Sequence, residues 1–457
     1  MKSITHHHNQ ALREVYQAIR GKKLQYHIST FGCQMNDHDS EKMAGLLETM
    51  GYTYTADETA ADLILFNTCA VRENAELRVF GNIGRMKPLK AAKPELIVGV
   101  CGCMMQQDHM KHAIKDKYSY VDLVFGTHNL SALPDYVRRV LLEKERVVEI
   151  IADGSIVEGL PVVRNLDVKA FVTIMQGCDN FCSYCIVPYT RGREKSRTPE
   201  AILEEIEGLV EQGIKEVTLL GQNVNSYGKG LVPAIDFADL LHRVNAIEGL
   251  ERIRFMTSHP KDLTDRLIEA MTLDKVMPTI HLPAQSGSDK ILQAMNRKYT
   301  KADYLGLVDK LRQMIPDIAI TSDLIIGFPG ETEEDVDDTI DLIRRVEFDA
   351  AFTFIYSPRV GTPAAGLPDE TSERTKHERF DRMLAVLNEI VIAKHKAREG
   401  RVFEVLIEGK QERSAAYQGR TKQDFLVTFS AKPEDIGQLR PVRITKARKF
   451  SLEGELV

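Results

Sequence analysis

The chain has 457 residues, of which 43% are hydrophobic and 28% charged; it carries seven cysteines and a net charge of −6. That length and apolar content predict two to four packed domains, and the acidic balance excludes a uniformly basic nucleic-acid binder. No run of about 18 apolar residues exists and the N-terminus lacks an apolar signal core, so no membrane span and no export are expected.

Residues 1–23 read as an extension, with His6–His8 in a disordered terminus. Residues 24–150 alternate strands (Leu24–Phe31, Leu63–Phe66, Leu96–Val100, Val121–Phe125) with helices (Asp37–Met50, Glu73–Lys90, Leu130–Glu143). That alternation predicts a parallel α/β sheet. A turn-rich, weakly patterned stretch, 151–165, reads as a linker. Residues 166–394 repeat the strand–helix unit six times, with strands at Phe171–Gln176, Glu216–Gly221, Ile253–Thr257, Pro278–Leu282, Ile318–Gly327 and Ala351–Tyr356. Six units fall short of the eight of a closed barrel and predict an open one. A long helix, Ser372–Gly400, leads into residues 395–457. There the pattern changes to short strands, Val402–Glu408, Phe425–Phe429 and Val442–Thr445, of a small all-β module. From Lys394 onward the chain has 14 lysines and arginines against 9 acids, so a basic tail follows an acidic body. That asymmetry suggests a polyanion partner.

The cysteines carry the chemistry. Cys178-Asp-Asn-Phe-Cys182-Ser-Tyr-Cys185 places three thiols in one loop straight after an apolar strand. Zinc sites pair such knuckles with a second Cys or His pair, and none follows within range. A cubane iron–sulfur cluster has four irons, so three thiolates leave one iron open to a small molecule. The other four cysteines all lie in the first stretch. Cys33, Cys69 and the pair Cys101/Cys103 follow the first, second and third strands. In an open α/β sheet, ligands bind beyond the carboxyl ends of the strands, so thiols distant in sequence meet there. Cys101 and Cys103 compete for the third place; Cys101, nearer the strand, is expected in the core, and Cys103 is taken as the ligand. An odd cysteine count fits metal ligation in a reducing cytoplasm better than disulfides.

The Cx3Cx2C spacing resembles the signature of the radical S-adenosylmethionine (SAM) superfamily. The segments Phe31-Gly-Cys-Gln-Met-Asn36, Asn67-Thr-Cys-Ala-Val-Arg-Glu73, Gly102-Cys-Met104, Met175 to Arg197 and Leu220-Gly-Gln-Asn-Val-Asn-Ser-Tyr-Gly228 are similar to the methylthiotransferase family within it. The tail resembles the TRAM domain, an OB-like barrel found on RNA-modifying enzymes. The resemblance covers nearly the whole chain in the right order. It implies an α/β protein of three parts: an N-terminal parallel α/β sheet domain (24–150), a central open partial (β/α)6 barrel of the radical SAM type (166–394) and a C-terminal TRAM barrel (395–457). It implies two [4Fe-4S] clusters, one on Cys33, Cys69 and Cys103 and one on Cys178, Cys182 and Cys185, with SAM as radical source and methyl donor. The tRNA-modifying branch fits best, since branches acting on ribosomal protein or on threonylcarbamoyladenosine are expected to differ after the second cysteine and at Gln222-Asn-Val-Asn225.

On that resemblance the reaction replaces C2–H of N6-isopentenyladenosine, in a tRNA anticodon stem-loop, with S–CH3. That aromatic C–H bond is not acidic, so a general base has little to offer and a cofactor must act. Gln222, Asn223, Ser258 and Arg297 are expected to contact SAM by their positions at later strand ends. Arg191, Arg193, Lys195 and Arg197, beside the cysteine loop, are candidates for phosphate or the SAM carboxylate. Gly327–Gly330 is a turn able to approach adenine by its backbone, and His259 and His281 read as hydrogen-bonded structural residues. For RNA, the tail offers Arg401, Arg420, Lys422, Arg443, Lys446, Arg448 and Lys449, with Tyr417 or Phe425 to stack a base if exposed. A low-potential electron donor, a monomeric state and a cytoplasmic location complete the expectation. An iron–sulfur RNA-binding regulator without turnover is the alternative outside enzymes.

Overall fold

The computed structural model of the chain describes residues 6–70, 73–164, 168–411 and 414–457. Val71 and Arg72 of the second cysteine segment, and the boundary expected at 165/166, lie outside the described residues. The chain divides into two compact units. One holds the described residues of Met1–Asn165 with Gln176–Asp179 and Cys185–Lys195; the other holds those of Leu166–Met175, Asn180–Tyr184 and Ser196–Val457.

The first unit opens with a helix, α1 (His6–Ile19), where a disordered terminus was expected. Leu12, Val15 and Ile19 recur at helical spacing and are buried, which is why the segment folds onto the unit. Next come β1 (Gln25–Thr30), α2 (Gln34–Thr49), β2 (Thr53–Tyr54), β3 (Leu63–Thr68), α3 (Glu73–Ala92), β4 (Ile97–Gly102), α4 (Asp108–Lys117), β5 (Leu123–Phe125), α5 (Leu133–Arg138) and β6 (Val147–Glu149). The strands form one parallel sheet in the order β2-β1-β3-β4-β5-β6. Every residue of β3 and β4 is buried, as expected for central strands covered on both faces. Residues of α1, α2 and α5 pack on one face, and residues of α3 and α4 on the other. The helix expected over Leu130–Glu143 is broken into a 3-10 turn, α5 and a closing π turn. The linker residues up to 164 form no helix or strand, yet they are strapped to α2. Val163 N–H donates to the Glu41 carbonyl, Arg164 pairs with buried Glu41 at 3.2 Å, and any side chain on Gly45 would strike the Pro161 carbonyl.

β7 (Lys169–Thr173) belongs to the second unit, and the segment after it carries only short pieces: β8 (Met175–Gln176), α6 (Val187–Thr190) and β9 (Lys195–Ser196). The strand–helix alternation then runs α7 (Pro199–Glu211), β10 (Glu216–Leu220), α8 (Phe237–Asn245), β11 (Arg252–Phe255), α9 (Asp265–Ala270), β12 (Thr279–His281), α10 (Asp289–Ala294), α11 (Lys301–Met314), β13 (Ala319–Ile326), α12 (Glu333–Val346), β14 (Ala350–Ile355) and α13 (Glu373–Lys396). α7 coincides with its expected span because Thr198 caps it and Pro199 takes the first position, where a missing N–H costs nothing. The parallel strands pair as β7-β10-β11 and β12-β13-β14, joined by a bridge between Ile253 and Val276. This is the open six-strand arrangement that six units predict.

The last segment is a closed barrel of β15 (Val402–Lys410), β16 (Tyr417–Thr421), β17 (Leu426–Phe429), β18 (Leu439–Ala447) and β19 (Leu452–Leu456), ordered β15-β16-β17-β19-β18. β16 and β19 are strands the sequence reading missed; each is short and interrupted by polar or glycine residues. Val405, Ile407, Val427, Phe429, Val442, Ile444 and Leu452 fill the barrel. Two arginines of β11 fasten it: buried Arg252 donates to the Arg420 carbonyl and buried Arg254 to those of Thr421 and Lys422, each at 2.8 Å. No described helix is long and apolar enough to cross a membrane.

Candidate functional site

In the first unit the chain gathers three thiols from three strand ends. After β1 the backbone turns at Gly32 (φ +140°) and Cys33 caps the N-terminus of α2. Cys69 directly follows β3, and Cys103 follows β4 across Gly102 (φ +95°). Both glycines are required by close approach. A Cβ on Gly32 would lie 2.8 Å from Cys69 Cβ, and one on Gly102 would lie 2.5 Å from Asn67 Oδ1 and from the Thr68 carbonyl.

Asn36, one turn into α2, is the hub. Its Nδ2 donates to the carbonyls of Phe31 and Thr68, tying the first strand end to the second. Its Oδ1 faces both the Cys33 and the Cys103 thiols at 3.8 Å. Asn67 in turn donates to the Asn36 carbonyl at 2.8 Å. Burial pushes the Cys103 thiol up to about 12; the Arg191 guanidinium pulls it back, and Cys69 and Cys33 add to the rise.

Cys101 takes the other course. Its side chain points from β4 into the apolar core, 3.6 Å from Met43 Sδ, and burial pushes its thiol well up. Strand alternation would put both on one face; the end of the strand separates them, since Cys101 is in β4 and faces the core, whereas the backbone turns at Gly102 and Cys103 lies past it.

Arg191 is not available for phosphate or a SAM carboxylate. It is buried, with Nε 3.1 Å from Cys103 Sγ, one Nη 3.0 Å from Asn36 Oδ1 and 2.7 Å from Asp39. Its three neighbouring cations also have partners in the protein: Arg193 pairs with Asp179, Lys195 with Asp153, and Arg197 with Glu205. Sequence reasoning missed Asn36, Asn67 and Asp39 as parts of this site. The signal was the placement of Asn36 and Asp39 in the first turns of the helix that Cys33 caps.

The cysteine loop belongs in part to each unit, Cys178 and Cys185 to the first and Cys182 to the second. In the first, Gly177 is required because a side chain there would strike the Arg193 carbonyl. In the second, Phe181 adopts φ +45° and its carbonyl accepts from Asn296, while Ser183 donates to the Ala294 carbonyl. Arg297 Nη1 lies 3.4 Å from Cys182 Sγ, and its other nitrogens donate to the Tyr299 hydroxyl and the Pro283 carbonyl.

The other SAM candidates sit beyond the carboxyl ends of β10 and β11. Val224 N–H donates to the Thr257 carbonyl and Ser258 N–H to the His281 carbonyl, so the loops after β10, β11 and β12 are laced together. Asn223 Nδ2 donates to Asp262, but Asn223 Oδ1, Asn225 Oδ1 and Ser258 Oγ are buried without a partner. Thr257, a β-branched residue, adopts φ +69°, a strained conformation of the kind functional sites retain. Gln222 lies beside them, half-buried. His259 Nδ1 accepts from the Lys261 N–H; burial above all, helped by Arg297, pushes this imidazole down to about 2 and keeps it neutral. His281 bonds Thr321, so both histidines are hydrogen-bonded as expected. The Gly327 turn is closed by Glu331, which accepts from the Gly327 N–H.

On the C-terminal barrel and the residue before it, Arg401, Lys422, Arg443, Lys446, Arg448 and Lys449 are exposed, and Arg420 is half-buried. Arg420 pairs with Glu408 and Asp424, Lys422 with Glu404, and Arg448 with Glu453. Tyr417 corrects an expectation: it is buried in the barrel and cannot stack a base. One face of Phe425 is covered by Arg398, 3.8 Å from the ring. The exposed aromatic is Phe450, in the turn between β18 and β19 beside Lys449, which sequence reasoning overlooked.

Family models match three stretches: the uncharacterized protein family UPF0004 at residues 25–126, the radical SAM superfamily at 172–343 and the TRAM domain at 396–457. The structure is similar to that of the radical S-adenosylmethionine methyltransferase TsrM from Kitasatospora setae, with a TM-score of 0.56 over 75% of this chain and 77% of that one; at 14% identity this shows the fold alone. Among curated proteins, the chain is 55% identical over 449 residues to a protein of Thermoanaerobacter sp. (strain X514), covering 98% of this chain and 95% of the relative. It is 54% identical over 435 residues to one of Clostridium novyi (strain NT), covering 94% and 96%. Both relatives are named tRNA-2-methylthio-N(6)-dimethylallyladenosine synthase, and on full-length identity of this order the chain belongs to that family of radical SAM proteins.

Proposed function

We propose that this chain replaces the C2 hydrogen of N6-isopentenyladenosine in a tRNA anticodon loop with a methylthio group. The observation that carries the reading is the meeting of Cys33, Cys69 and Cys103 around Asn36, a second trio in addition to that of the Cx3Cx2C motif. A chain that only cleaved SAM would need one such trio. Three thiols brought from three strand ends suit a cluster in which each sulfur meets a different iron. The donors, the glycine cradle and the buried cation at Arg191 all fit such a cluster. When bound, the cluster on Cys178, Cys182 and Cys185 supplies the electron that cleaves SAM, and the cluster on Cys33, Cys69 and Cys103 supplies the sulfur.

The chain's own residues do the rest. The partnerless oxygens of Asn223, Asn225 and Ser258 are acceptors that the amino and hydroxyl groups of SAM would satisfy, and Gln222 adds an amide beside them. Arg297 contributes a fixed positive charge next to Cys182. Neutral His259, already accepting at Nδ1, keeps a second cation out of that corner. The exposed cations Arg401, Arg443, Lys446 and Lys449, with Phe450 as a stacking face, hold RNA through phosphates and one base. Arg420, Lys422 and Arg448, already paired with carboxylates, contribute less.

The parts are the extension 1–23, the cluster-binding domain 24–150, the linker 151–165, the radical SAM core 166–394 and the TRAM domain 395–457. The working protein is a cytoplasmic monomer served by a low-potential electron donor. Mass spectrometry of tRNA nucleosides tests the reading. Cells lacking the protein should accumulate N6-isopentenyladenosine without its 2-methylthio form; an unchanged nucleoside profile refutes it.

A further inference from the structure

We propose that Arg191 is a positioning residue of the Cys33–Cys69–Cys103 centre, and that its guanidinium, hydrogen-bonded to the Cys103 sulfur, raises the reduction potential of the iron–sulfur cluster held there. The inference rests on the ligand assignment made above. Arg191 is 5% exposed, and burying a guanidinium is costly unless its N–H groups find strong acceptors. Asp39 supplies one, at 2.7 Å. The same fork directs Nε at Cys103 Sγ, 3.1 Å away, and Nη2 at the side-chain Oδ1 of Asn36, 3.0 Å away. A thiol is a weak acceptor and would poorly repay an arginine N–H; a thiolate is a charged acceptor that matches it.

Two consequences follow from this placement. The guanidinium fixes Asn36, the residue whose Oδ1 faces two of the three thiols, and so fixes where the sulfurs stand. It also places a donor on one ligand sulfur. Donors to ligand sulfurs stabilise the added negative charge of the reduced cluster and raise its potential. Lysine would keep the charge and has three N–H donors, but it lacks the planar fork that holds Nε on Cys103 while Nη2 serves Asp39 and Asn36.

The test uses the full chain with Cys178, Cys182 and Cys185 replaced by Ala, so that one centre remains, and an EPR-monitored redox titration with iron and sulfide assays alongside. With Arg191→Gln the reduced-to-oxidised ratio at a fixed ambient potential should fall about tenfold, or ~59 mV for a one-electron couple. Arg191→Lys should fall by less. A residue that only props up the fold would change iron content or stability and leave the potential alone. Equal potentials in the parent and both variants overturn the proposal. Should Arg191→Gln fail to hold iron, Arg191→Lys decides: a lower potential supports the proposal and the parent's potential overturns it. No iron in the background chain with Arg191 intact refutes the ligand assignment itself, and the proposal with it.

Discussion

The two cysteine trios are built in different ways. Cys178, Cys182 and Cys185 stand in one short loop after one strand, so their spacing alone brings them close, whatever the rest of the chain does. Cys33, Cys69 and Cys103 each follow a different strand, and they meet only because β1, β3 and β4 are adjacent and parallel. The first trio is local chemistry written as a motif. The second is a product of topology, and its precision depends on the residues that pin the strand ends together: Gly32, Asn36, Asn67 and Gly102. Substitutions at a distance from the sulfurs should therefore harm the second trio in ways that the first has no counterpart for.

The largest expected effect separates the two trios by chemistry. Cys33→Ala should abolish methylthiolated nucleoside while 5′-deoxyadenosine still forms from SAM, as read by mass spectrometry of both. Cys182→Ala should abolish both products. Methylthiolated nucleoside from Cys33→Ala would end the division of labour.

A second contrast lies within one strand end. Cys103→Ala should lower the iron of anaerobically reconstituted protein from about eight to about four per chain. Cys101→Ala, whose side chain packs on Met43, should keep the iron and cost about 1 kcal/mol of stability. The reverse pattern would show that the wrong cysteine had been chosen.

Gly102→Ala probes the topology directly. The residue has φ +95° and its Cβ would lie 2.5 Å from Asn67 Oδ1, so a loss of about 3 kcal/mol in urea unfolding is expected, with iron lost from the first-unit trio alone. Retention of that iron would show that the cradle is looser than it looks.

Smaller effects belong to the periphery. Replacing Lys446, Arg448 and Lys449 with Gln should weaken tRNA binding and reduce its salt slope by about two to three, measured by titration at several salt concentrations. Glu331→Gln addresses pH. Burial pushes this carboxyl up from 4.5 to about 7. The folded state then holds a proton that the unfolded state has released, so the Glu331 contribution to stability falls as pH rises from 4.5 through 7. The Gln variant should lose that slope in unfolding midpoints, and an unchanged slope would place the titration elsewhere.

Much of this was legible in the sequence. The strand–helix alternation gave the parallel sheet and the six-strand core, because apolar runs bounded by turns report burial directly. All six proposed ligand cysteines were named from their positions after strands. What was hidden depended on long-range placement. Arg191 looked like a solvated charge beside the loop, and only the fold shows it buried against Cys103. Tyr417 looked available to RNA because its burial comes from closing a barrel whose β16 and β19 were not recognised. The helix α1 was missed because its short apolar stripe follows three histidines and resembles a tail. Gly45 and the strap over it leave no local signature, since the contact pairs α2 with a segment more than a hundred residues away.

The central claim, that the chain holds two independent three-sulfur centres, is tested most directly by counting iron and recording Mössbauer spectra for two triple variants beside the parent. With Cys33, Cys69 and Cys103 changed to Ala, and separately with Cys178, Cys182 and Cys185 changed to Ala, each variant should retain about half of the parent's eight irons as one [4Fe-4S] signal. A first-unit triple variant that keeps the parent's full iron, or either variant that loses all of it, would contradict the account.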